Sequence, residues 1–141
     1  MLGLEPLLRA RLAEIPGLLG VHGAADVDDI GLRVELPAAY VVWDGYSVSE
    51  TTNNGRAART ATRWQVVLAV RNPLTPNDGA PARSDAAPLL DAVLAKLLGW
   101  APGYPYAPLV LANPGAITPG YRGGILKFPI AVTSEVVVRG A

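Results

Sequence analysis

Residues 63–102, RWQVVLAVRNPLTPNDGAPARSDAAPLLDAVLAKLLGWAP, read as a strand, a Pro/Gly/Asn connection and a leucine-rich helix. From Thr60 to Arg71 the side chains of Thr62, Trp64, Val66, Leu68 and Val70 alternate with Arg63, Gln65 and Arg71, the period of a strand with two unlike faces. Farther on, Leu90, Val93, Leu94, Leu97 and Leu98 recur at helical spacing and give a broad apolar face to a helix from about Asp85 to Leu98. Ser84 or Asp85 is placed to cap it, Pro88 falls in its first turn, and Gly99 suits its C-terminal cap. The stretch therefore combines α and β structure in one unit while offering few groups that do chemistry, as expected of a building block of an assembly.

Upstream, Leu4, Leu8, Leu12 and Ile15 line one face of a first helix, with Arg9, Arg11 and Glu14 on the other, and Pro16-Gly17 ends it. Leu18 to His22 reads as a short strand. Asp26 to Asp29 forms a polar turn before the alternating Ile30, Leu32, Val34 and Leu36, and Pro37 closes that unit. Ala39 to Trp43 reads as a strand that pairs antiparallel with Thr60–Arg71. Between them GYSVSETTNNGRAAR (45–59) is polar, locally basic at Arg56 and Arg59, and too poor in apolar surface to order itself, so a projecting, mobile hairpin tip is expected.

Downstream, APGYPYAPLVLANPGAITPGYRGG (101–124) holds too much Pro and Gly for long regular elements. ILKFPIAVTSEVVV (125–138) then alternates through Leu126, Phe128, Ile130 and Val132, a further strand with Pro129 at an edge or bulge. The expected fold is α+β: a single domain over residues 1–141, with a mainly antiparallel or mixed sheet, two helices on one face and a long projecting hairpin.

With 141 residues, 50% of them hydrophobic, the chain has material for one real core. Twelve basic and twelve acidic side chains cancel, so no bulk charge recruits nucleic acid or an anionic membrane. The absence of cysteine excludes disulfides, thiolate nucleophiles and cysteine-ligated metals. MLGLEPLLRARLAEIPG is interrupted by charges and lacks the apolar centre of a signal peptide or membrane span, which predicts a soluble protein not exported by the general route.

Catalytic constellations are weak. His22 is the one histidine, and none of Ser47, Ser84 and Ser134 sits in a nucleophile-elbow context, so a structural histidine is the better reading. Asp26, Asp28 and Asp29 lack the glycine and terminal glutamate of a calcium loop. Asp44 with Glu50 has no apolar pocket to separate two carboxylate pKa values. The glycines of PGAITPGYRGG have neither the lysine nor the hydroxyl of a phosphate loop. Arg56, Arg59 and Arg63 beside Trp64 resemble a single-strand nucleic-acid platform, but zero net charge and strand alternation favour a solvated basic tip. On an oligomer that tip would suit an acidic patch of a neighbouring subunit.

The order of local phrases carries a family resemblance: LLRARLAEIPGL, then PAAYVVWDGY after an acidic turn, RWQVVLAVRN, PLLDAVLAKLLGWAP, and a Tyr/Gly-rich approach to KFPIAV. Over nearly the whole chain this resembles the tail terminator proteins of long-tailed phages, especially those of Mu-like contractile tails and related prophage elements. The resemblance implies a compact α+β subunit that forms a homo-oligomeric ring, usually of six copies, at the head-proximal end of the tail, after assembly in the host bacterial cytoplasm. Such a ring ends growth of the tail tube and, in contractile tails, the sheath. Its partners would be tube protein, sheath protein and head–neck or connector proteins, with no membrane, no sequence-specific nucleic acid, no cofactor, no metal and no catalytic residues.

Candidate intersubunit or tube contacts follow from the residues themselves: Tyr46, Arg56 and Arg59 in the 46–59 tip, and Trp100, Tyr104, Tyr106 and Tyr121 in and around the 104–121 loop, where spare aromatics suit an interface. Two other readings compete: a head–tail connector or completion protein, and a small ligand-binding or hydrolytic domain using Asp44, His22 or Arg63. A deep polar pocket uniting those last three groups would favour the latter.

Overall fold

The computed structural model describes residues 1–23, 35–71, 80–115, 119–122 and 124–141. Its elements are α1 (Leu4–Leu12), β1 (Gly20–Gly23), β2 (Ala38–Thr51), β3 (Ala57–Arg71), α2 (Ala80–Leu97), β4 (Val110–Leu111), β5 (Gly120–Arg122) and β6 (Ile125–Arg139). They build a single α+β domain around one mixed six-stranded sheet in the order β1-β2-β3-β6-β4, with β5 also on β6. Only the β1–β2 pair is parallel among these. The expected polar turn and alternating run within 24–34 lie outside the described residues.

Both helices cover one face. Leu4, Leu8, Leu12 and Ile15 from the α1 segment meet Val93 and Leu97 of α2 over Ala39, Val41, Trp64, Val66, Ile130 and Val132 of the sheet. Each such leucine removed from water contributes about 1.5–3 kcal/mol. A contiguous cluster joins Ala82 and Ala86 of α2 to Leu68, Val70 and Leu126. The small residues on α2 let that helix lie close to the sheet.

The opposite face departs from the alternation expected of β3. Gln65, Val67 and Ala69 are as buried as their neighbours, and Val67 and Ala69 pack with Ala38, Tyr40 and Val42. The continuous run VVLAV at 66–70 is the sequence trace of a strand buried on both sides.

The end of β2, the start of β3 and the start of α2 differ from the sequence reading. Segment 45–59 is not a loop: β2 continues to Thr51 and β3 begins at Ala57, leaving a turn at 52–56. The turn is closed by Ala57 carbonyl accepting from Thr52 N–H and by Asn54 Oδ1 accepting from Arg56 N–H. The order comes from β6, whose Glu135–Arg139 pairs with Ala61–Ala57 and supplies the ladder bonds that local composition lacks. Helix α2 starts at Ala80, so Pro88 is interior. Pro88 and Ser84, the residue whose carbonyl loses its helical donor, are both exposed. Residues 101–124, expected to hold no long regular elements, contribute the short β4 and β5 among the described elements.

Pro129 obeys the strand geometry. Ala131 and Glu135 accept bonds from Ala112 and Ala107, which shows that odd-numbered residues of β6 aim their backbone groups away from β3. Pro129 shares that parity and falls between the stretches held by β5 and β4. Its missing N–H therefore breaks no rung to β3.

Candidate functional site

Beyond the helical layer, the ends of β2, β3 and β6 form a three-stranded ribbon. Its inner strand is satisfied on both sides, because β3 pairs with β2 down to Ala58–Thr51 and with β6 down to Ala57–Arg139. Its outer strands are not. β1 covers β2 only from Ala38 to Val41, and among the described residues no strand lies beside β2 from Val42 to Thr51. On β6 the outer bonds end at Glu135, whose carbonyl accepts from Ala107. By the same parity, the backbone groups of Val137 and Arg139 face outward with no strand beside them among the described residues.

The ribbon keeps apolar side chains in water. Along β2, Trp43, Tyr46 and Val48 are 45%, 59% and 53% exposed and share the helix-side face, since their partners are Trp64, Thr62 and Thr60. Val137 on β6 is 47% exposed on the other face. Polar groups under the ribbon are satisfied instead: Thr60 Oγ1 donates to Val136 carbonyl at 2.9 Å, and Trp64 Nε1 donates to Thr62 Oγ1 at 3.1 Å. The exposed apolar atoms are thus the unfinished part of this region.

The loop after α2 shapes a cleft at the β6 edge. Gly99 takes φ +74°, open to glycine at little cost, and its N–H bonds Leu109 carbonyl, while Leu109 N–H bonds Trp100 carbonyl. This closes the loop, and Ser134 Oγ ties it to β6 by donating to Ala107 carbonyl at 2.7 Å. The cleft, about 450 Å³, has Arg59, Val137 and Arg139 along the sheet and Tyr104 and Pro105 on the loop. Tyr104 is 100% exposed.

The structure divides the seven candidate contact residues. Tyr46, Arg56, Arg59 and Tyr104 are exposed, and Arg59 bridges to Glu50 at 3.4 Å across the ladder. Trp100 and Tyr106 pack against the main core, with the Arg11 guanidinium 5.3 Å from the Trp100 ring centroid, and Tyr121 packs against the β3–α2 cluster. Sequence reading missed Trp43, Val48, Glu50, Val137 and Arg139. Their signal was present as Tyr46 and Val48 alternating with Ser47 and Ser49 and as the valine run 136–138, but exposure depended on which strands stop short beside them.

Asp44, Arg63 and His22 do not form one pocket. Asp44 Oδ2 accepts from Arg63 Nε at 2.6 Å and from Gln65 Nε2 at 2.9 Å, and Arg63 also donates to Asn113 carbonyl. His22 lies on β1, with its ring 5.4 Å from Tyr40. The carboxylate is occupied in pinning a loop to the sheet. Among the described residues no helix is long and apolar enough to cross a membrane, and no cluster of His, Asp and Glu is placed to hold a metal.

A family model described as "Phage tail terminator protein" matches residues 1–140. No match is found among curated proteins.

Proposed function

The chain belongs to the phage tail terminator family, a structural and not a catalytic family of the phage tail, and we propose that it caps the tail as a ring. Six copies close around the head-proximal end of the tube, stop its polymerisation, end the sheath where the tail is contractile, and present a docking surface to head–neck proteins. The observation that carries this reading is the family match over residues 1–140. Further support comes from two strand edges that have no strand beside them among the described residues, and from an exposed apolar stripe, as expected of a part that is completed by neighbours. Tyr46, Arg56 and Arg59 at the ribbon, with Tyr104, are its contacts to a neighbour or to the tube.

Native mass spectrometry over a concentration series, with and without the cognate tube protein, tests the ring. A six-fold species is expected, alone or on mixing. A chain that stays monomeric with the tube protein present overturns it. Tube lengths in electron micrographs separate a terminator from a connector: a terminator shortens and unifies them, and a connector leaves them unchanged.

A further inference from the structure

The two ribbon edges that have no strand beside them among the described residues carry different side chains. β2 and β6 both run antiparallel to β3, so they run in the same direction, toward the 52–56 turn. On the β2 edge Asp44 is held by Arg63, while Glu50 stays largely exposed beside Arg59; the last residues of β6 carry Glu135, beside the 104–107 loop, and then Arg139 beyond it, where Gly140 N–H bonds Arg56 carbonyl. Glu50, Arg59, Val137 and Arg139 all lie on the sheet face away from the helices, because Glu50 pairs with Arg59, Arg59 with Val137 and Ala57 with Arg139. The exposed Glu50 and Arg139 stand on edges separated by β3, so they can meet each other only between copies.

We propose that the open edge of β6 at Val137–Arg139 receives the open edge of β2 at Tyr46–Thr51 from a second copy of this chain, in parallel orientation. Glu50 of that copy lies against Arg139, and Tyr104 closes over the junction from the cleft wall. The contact is head-to-tail, so repetition yields a ring when the rotation closes. Closure covers both edges of the ribbon, which is how strand edges are protected from indiscriminate pairing. The register shifts in β2 between Trp43 and Tyr46 and between Val48 and Glu50 restrict pairing to short runs, which makes the partner specific. This interface rests on the ring reading above and adds the surfaces that build it.

The absence of cysteine makes the test direct. Within one copy β2 and β6 are separated by β3, about 10 Å apart, beyond the reach of a disulfide. The double variant Glu50→Cys/Arg139→Cys, oxidised after assembly, is expected to give a covalent ladder up to the full oligomer, and each single variant none. A double variant that assembles by native mass spectrometry yet yields no ladder overturns this interface and leaves the ring standing. A wild-type chain that never assembles, even with tube protein, overturns both. As a check independent of cysteine, Arg139→Glu should weaken assembly about tenfold, and adding Glu50→Arg should restore it. Equal assembly in all four charge combinations sinks the proposal.

Discussion

Asp44 and Arg63 meet across the β2–β3 ladder with Arg63 Nε 2.6 Å from Asp44 Oδ2, and that same oxygen accepts a second bond from the buried Gln65. One carboxylate oxygen thus organises two donors on the sheet face opposite the helices. It sits where the β2–β3 register shifts between Trp43 and Tyr46, so the irregularity aims the carboxylate at its partners.

Replacing Asp44 by Ala should therefore cost about 1–3 kcal/mol, because a buried amide and a half-buried guanidinium lose their acceptor together. Asp44→Asn, which keeps an acceptor, should cost less. Guanidinium unfolding curves measure both, and equal midpoints for wild type and Asp44→Ala would show the network to be idle.

Gly115 lies against this network. A Cβ there would stand 2.8 Å from Asp44 Oδ2, 3.0 Å from Gln65 Nε2 and 3.1 Å from Arg63 Nη2. Gly115→Ala should lower Tm by about 5 °C or more, since the side chains it meets are held by their own bonds. An unchanged Tm would mean that the 112–115 segment does not rest on the sheet there.

Trp43 and Trp64 are register partners with opposite fates: Trp64 is 2% exposed and Trp43 is 45% exposed. Trp64→Ala should cost about 3–5 kcal/mol and threaten folding. Trp43→Ala should leave the monomer's unfolding midpoint nearly unchanged while reducing assembly. Calorimetry of each variant beside its native mass spectrum reads the two effects separately.

Tyr104 and Tyr106 make a second such pair. Tyr106 packs on the core, and its hydroxyl oxygen lies 2.9 Å from where a Cβ on Gly3 would stand, whereas Tyr104 projects into solvent. Tyr106→Ala should cost about 2–4 kcal/mol, and so should be visible in denaturation. Tyr104→Ala should act on assembly alone. A Tyr104 variant that unfolds early would place that ring inside the fold.

Much of the local structure was legible. The Leu4, Leu8, Leu12 stripe, the helix-side residues Trp64, Val66, Leu68 and Val70 of β3 and the stop at Gly99 are short-range patterns, and each appears where its period predicts, whereas the burial of Gln65, Val67 and Ala69 on the other face does not follow from the alternation. The candidate contacts were legible as residue types but not as surfaces: Tyr104 and Tyr106 stand two positions apart in the same Pro/Gly-rich loop, and only folding sends one to the core and the other to solvent.

By itself, then, the sequence determined the elements, their apolar faces and the scarcity of catalytic groups, because each depends on neighbours within a few residues along the chain. Tertiary structure alone decided that β6 lies beside β3, that this neighbour turns the polar 45–59 segment into paired strand, and that among the described residues no strand lies beside the ends of β2 and β6. Those outcomes join residues such as Ala57 and Arg139, far apart in sequence. The bonds and burial that decide such pairings exist only once the sheet has formed, so no local pattern records them.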